Sequence, residues 1–80
     1  MNYQQHLALA MVAFGEGELD AALQGLQAAL DEAGRLDPEG PRVAEVCGYL
    51  AQVRLKAGDQ AGAASAQARA DAIWARFPGL

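Results

Sequence analysis

Apolar residues recur along this chain at helical spacing. Leu19, Leu23, Leu26, Leu30 and Ala33 step by four and three and form one stripe. Val43, Val46, Cys47, Leu50, Val53 and Ala57 form a second, and Ala63, Ala66, Ala70, Ile73 and Phe77 a third. The first half of the third stripe is all alanine, so a neighbour can pack very close there. The segment from Tyr3 to Phe14 is different. From Leu7 onward it is apolar on every side, which predicts a helix buried on both faces. "GEG" at 15–17, "GRLDPEGP" at 34–41 and "AGD" at 57–59 separate the four segments, and "PGL" closes the chain. Four helices are expected: 3–14, 19–35, one opening near Pro41 and one following Asp59.

The ends of these segments carry their own signals. Glu18 and Asp20 sit where the dipole of the second helix favours negative charge. Asp31 and Arg35 are spaced for an i,i+4 ion pair. Gly34 weakens the end of that helix, and Pro38 forbids its continuation. Pro41 suits the first turn of the third helix. Gly58 can end it in a left-handed conformation. Asp59 is a favourable N-cap for the fourth, and Pro78 and Gly79 stop that helix.

The chain also states one pattern twice. "GEGELDAALQGLQAAL" begins at Gly15, and "KAGDQAGAASAQARA" begins at Lys56. Each opens with a glycine turn and a carboxylate and runs into an alanine-rich helix. Gly17 and Gly58 stand 41 residues apart. At that offset Leu9 meets Leu50, Ala10 meets Ala51 and Phe14 meets Leu55. Glu18 meets Asp59, Ala22 meets Ala63 and Ala29 meets Ala70. A fixed period with one helical hairpin per unit predicts a stacked array.

The matching residues resemble a tetratricopeptide repeat. Leu9-Ala10 and Leu50-Ala51 supply the large-small pair of helix A. "GELDAA" and "GDQAGA" supply the glycine-acid turn. Ala22 with Ala29, and Ala63 with Ala70, supply the small residues of helix B. The period is similar to the longer variant found in kinesin light chains, and "LDEAGRLDPEGPRVAEV" looks like that variant's loop and helix start. The resemblance covers nearly the whole chain as one domain of two units, about 2–37 and about 41–78. Gln60 and Gln67 depart from it, standing where an aromatic or large apolar residue is usual. His6 and Cys47 replace the usual bulky helix-A residue. A looser second unit is the expected consequence.

The resemblance implies an all-α fold of two antiparallel helical hairpins, stacked in a right-handed superhelical sense. It further implies a concave face, lined by the A helices, that holds a peptide or another protein. Its positions here would be Gln4, Leu7, Met11 and Phe14 from the first unit and Glu45, Gln52, Leu55 and Lys56 from the second. The family's chaperone-binding subgroup needs a clamp of Asn and Lys or Arg for a terminal carboxylate. Only Asn2 is present, outside the motif, so that subgroup is not expected. The residues alone reach a similar face. Once the first helix has packed on its own hairpin and on the third helix, Leu7, Met11 and Phe14 are left over. They either form an exposed apolar patch, which would mark a contact, or fill the core of a small bundle. Met is adaptable and suits the first role. Trp74, with Phe77 nearby, reads as a cap on the core or as an anchor for a partner.

Composition narrows the function. Eighty residues make one small domain with a limited core. Thr is absent and Ser65 is the one serine, a composition that favours helix over sheet. The formal charge is −4, and the six Lys and Arg are scattered among ten carboxylates. Nucleic acid is not expected as a partner, since duplex binding needs clustered positive charge. Nor is a membrane: "LALAMVAF" falls well short of the ~20 residues a spanning helix needs. "MNYQQH" lacks the basic leader of a signal peptide, and Cys47 has no cysteine to pair with. A cytoplasmic location is the expectation.

Catalytic constellations are missing from the sequence. His6 and Cys47, the one histidine and the one cysteine, fall at equivalent positions of neighbouring A helices, in what should be packed helix surface. Ser65 lies in an alanine run without an acid-base partner. Asp31-Glu32 and Glu16 with Glu18 read as solvated helix ends. Zinc would need about four His or Cys ligands, and no "GK[ST]" follows the glycines at 15–17. The chain is expected to be a protein-interaction module or assembly adaptor, not an enzyme, with no cofactor. Arrays usually need about three units, and only two are present. Three outcomes follow: a homodimer or other homo-oligomer that covers Leu7, Met11 and Phe14, a piece of a longer array such as one in a bacterial-type regulator, or a monomer whose groove holds a partner. The rivals are a plain four-helix structural subunit without a groove and a thiol sensor acting through Cys47.

Overall fold

A computed structural model describes residues 2–77. It contains four helices, α1 (Tyr3–Gly15), α2 (Leu19–Leu36), α3 (Pro41–Lys56) and α4 (Gln60–Trp74), and no strand among the described residues. The expected stop at Pro78 and Gly79 lies outside that range. α1 packs on α2, α2 on α3 and α3 on α4, and α4 does not return to α1 in an extensive interface. The fold is all-α, with two antiparallel hairpins stacked one on the other.

Local chemistry sets the helix boundaries. At α1, the Asn2 side chain accepts from Gln5 N and the Gln5 side chain accepts from Asn2 N, both at 2.9 Å. This capping box satisfies two amides at the helix start. Pro41 opens α3 in the first turn, where its missing N–H costs nothing. Asp59 caps α4 by accepting from Gly62 N at 2.8 Å, whereas Glu18 makes no such bond at α2.

The two intra-hairpin turns match bond for bond at the 41-residue offset. Gly17 and Gly58 have φ of 78° and 87°, the left-handed region that glycine enters without a Cβ clash. Gly17 N donates to Phe14 O at 3.0 Å, and Gly58 N donates to Leu55 O at 3.1 Å. Glu18 N donates to Ala13 O at 2.9 Å, and Asp59 N donates to Arg54 O at 2.8 Å. The sequence repeat is therefore a structural repeat at its turns.

Two adjoining groups of side chains form the core. One gathers Ala10, Ala22, Leu26 and Ala29 from the first hairpin with Val46, Leu50, Ala51, Val53 and Ala66 from the second. The other joins Ala33 to Val43, Ala44, Cys47, Ala70 and Ile73. Tyr3 packs against both, and the Arg42 guanidinium lies 5.8 Å from its ring centroid. The starts of α1 and α3 are thus neighbours, while Val53, late in α3, shares a cluster with Ala22, early in α2. α1 and α3 accordingly run the same way.

Several expectations from the sequence are corrected. α1 is not buried on both faces: Ala10 is its one fully buried residue, and Leu9 and Val12 are 59% and 60% exposed. It lies at an end of the stack, so one of its faces has no helix against it. Ala57 is exposed because it has already left α3. Arg35 pairs with Glu32 one turn away instead of Asp31, whose carboxylate accepts from Gln27 Nε2 at 3.1 Å.

Candidate protein-interaction surfaces

The residues expected to line a concave groove do not form one apolar patch. Leu7, Met11 and Phe14 are half-buried, and Leu7 and Phe14 pack on the core between the hairpins. Leu7 and Phe14 thus follow the core-filling alternative, on the side of α1 that carries the buried Ala10. Gln4, Glu45, Gln52 and Lys56 are exposed, and Leu55 is 60% exposed. Glu45 and Gln52 border a depression of about 210 Å³ along α3, with Ala44, Gly48, Tyr49 and Trp74. Trp74 is 40% exposed and flanks this depression, which is more open than a core cap would be.

Apart from Leu36 at the end of α2, the exposure of large apolar side chains lies at the two ends of the stack. On α1 it is Leu9 and Val12, both missing from the groove set derived above. On the second hairpin it is a depression of about 320 Å³ between α3 and α4, lined by Ala51, Leu55, Ala63, Ala64, Gln60 and Gln67 among others. The offset alignment held the signal for both. Leu9 and Val12 occupy the positions of Leu50 and Val53, which in α3 are buried against the first hairpin. α1 carries no Asp, Glu, Lys or Arg, so covering its face desolvates no carboxylate, ammonium or guanidinium.

Groups capable of chemistry are dispersed. Among the described residues no cluster of three or more His, Cys, Asp or Glu is placed to hold a metal ion, and no helix is long and apolar enough to cross a membrane. Cys47 is buried beside Leu30, Leu50, Ala66, Arg54 and Arg69. Burial pushes its thiol up, opposed by the nearby charges of Arg69 and Arg54. His6 is half-buried. An inaccessible thiol held protonated is a poor nucleophile. Iodoacetamide should therefore label Cys47 slowly in the native protein and at least about tenfold faster in denaturant. Labelling at equal rates would restore a reactive role. Because burial raises this thiol, the fold keeps its full stability below the thiol's ordinary value of 9.0 and loses stability as pH rises from there through the folded value, where only the unfolded chain ionises readily.

No protein-family model matches the chain, and neither a curated protein nor a solved structure matches it.

Proposed function

We propose that this chain is a protein–protein interaction module or assembly adaptor of the tetratricopeptide type, without enzymatic activity, working in a reducing compartment such as the cytoplasm. The observation that carries this reading is the repeated hairpin with an apolar face exposed at its end, Leu9 and Val12 on a helix without Asp, Glu, Lys or Arg. A hairpin repeat stabilises itself by burying such faces against a neighbour, and contiguous exposed apolar patches mark contacts. The rival of a closed four-helix bundle fits less well, because α4 does not pack back onto α1.

The test compares the wild-type chain with the Leu9→Glu/Val12→Glu variant. Both positions are exposed, so the variant should fold with an unchanged circular dichroism spectrum. The expected result is a protein partner, from the source cells or a second copy of the chain, held at least about tenfold more tightly by the wild type. Equal binding of every protein by the two forms would reject this face as the site.

A further inference from the structure

The occupant of that face can be read from the interface inside the molecule. Within the chain, α3 docks on the first hairpin. Leu50 and Val53, 3% and 0% exposed, share a core cluster with Ala10, Ala22 and Leu26. Shifted by the repeat, both halves of this interface recur at opposite ends of the stack with none of the described residues packed upon them. Leu9 and Val12 of α1 are the knobs equivalent to Leu50 and Val53. Ala51, Leu55, Ala63 and Ala64 of the second hairpin are equivalent to Ala10, Phe14, Ala22 and Leu23, on which α3 rests. Resting on the interaction reading above, we infer that the partner is a second copy of this chain, docked head to tail with its α1 in the α3–α4 groove.

The polarity of the two surfaces supports that choice. Along α3 the knobs are apolar throughout: Val43, Val46, Leu50 and Val53. Along α1 they become Asn2, Gln5, Leu9 and Val12, polar at the start and apolar beyond it. The receiving face changes at the same level. On α2 it is Leu23, Leu26, Leu30 and Ala33, and on α4 it is Ala64, Gln67, Asp71 and Trp74. The apolar half of α1 thus meets Leu55, Ala63 and Ala64, while Asn2 and Gln5 meet Gln67 and Asp71, with Trp74 beside Asn2 where the internal interface has Ala33 beside Val43. Asp71 already accepts from Gln67 Nε2 at 2.9 Å. The side-chain oxygens of Asn2 and Gln5 accept within their capping box, which leaves amide NH2 donors to face this carboxylate. Apart from Trp74, the two surfaces switch from polar to apolar in step and suit each other. Pairing α1 with α1 in antiparallel fashion would instead set Asn2 and Gln5 against Leu9 and Val12.

A head-to-tail contact is heterologous and does not close by itself, so copies add in an open series. The test is weight-average mass by sedimentation equilibrium across concentration. The wild type should rise at least about twofold between dilute and millimolar solution, without stopping at a dimer. Val12→Glu removes the knob and Ala64→Glu blocks the groove. Both positions are exposed, and the circular dichroism melt of each variant checks its fold. Each variant alone should remain monomeric. An equimolar mixture should form a dimer and go no further, because each partner contributes one intact surface. If Val12→Glu dissociates the protein and Ala64→Glu does not, the groove is not the receptor and the inference fails. A wild type monomeric at millimolar concentration also overturns it. Partner binding that still depends on Leu9 and Val12 would then preserve the broader interaction reading, and its absence would remove both.

Discussion

Leu26→Ala should lower the unfolding free energy by about 4 kcal/mol, in the upper part of the range for a buried leucine. Leu26 is fully buried, in a cluster with Val46, Leu50 and Val53 across the hairpin boundary. The other buried members of that cluster are alanines: Ala10, Ala22, Ala29, Ala51 and Ala66. An alanine has no side-chain rotamer with which to refill a void, so the cavity persists and its cost adds to the lost transfer energy. Domains of this size have a total stability of roughly 4–12 kcal/mol, so the loss is a large fraction of the whole. Urea unfolding checks it: the midpoint should fall with little change in slope. Position 67 is the control. Gln67 is equivalent to Leu26 in the second hairpin and is exposed, so Gln67→Ala should move stability by no more than about 0.5 kcal/mol. Equal losses at the two positions would mean that Leu26 is not a joint between hairpins.

The same pair of positions explains how much could be read before the structure. Helix boundaries and turns were accessible because they depend on residues close in sequence. Gly17 and Gly58 supply left-handed turns, Pro41 opens α3, and Asp59 caps α4. Burial depends on what lies alongside, which periodicity does not encode for a helix that is apolar all round. Leu9 and Leu50 have the same side chain in the same repeat position, yet one is 59% exposed and the other 3%. The difference is that α3 docks on the first hairpin, whereas no helix among the described residues lies on the corresponding face of α1. For that reason the sequence left open whether Leu7, Met11 and Phe14 form a patch or fill the core; Leu7 and Phe14 pack on the core, while Leu9 and Val12 are exposed. The Arg35 partner was missed for a smaller reason. Glu32 and Asp31 are both within reach of one helical turn, and Gln27 engages Asp31. The lack of charge on α1 was legible throughout; its position at the end of the stack was not.

Gly25→Val should destabilise the first hairpin by about 3 kcal/mol, the upper end of the usual cost of overpacking. A Cβ at Gly25 would lie 2.9 Å from Ala10 Cβ and 3.3 Å from Ala10 Cα. The second contact is to backbone, so relief requires α1 and α2 to separate. Valine adds two more methyl groups and a restricted χ1 in a helix. Gly25→Ala is the informative smaller step. It gains about 1 kcal/mol of helix propensity and loses about 1–3 kcal/mol to crowding, so its net effect should be near zero or mildly destabilising. The second hairpin shows that the wider arrangement is feasible, since Ala66 and Ala51 hold the equivalent positions and both are buried. The discriminating measurement is a double-mutant cycle with Ala10→Gly. If the contact sets the spacing of α1 and α2, Ala10→Gly should recover at least about 1 kcal/mol of the loss caused by Gly25→Val. Strict additivity would mean that the hairpin spacing is fixed elsewhere. Such spacing would also set how Leu9 and Val12 are presented, because α1 carries both on the face away from α2.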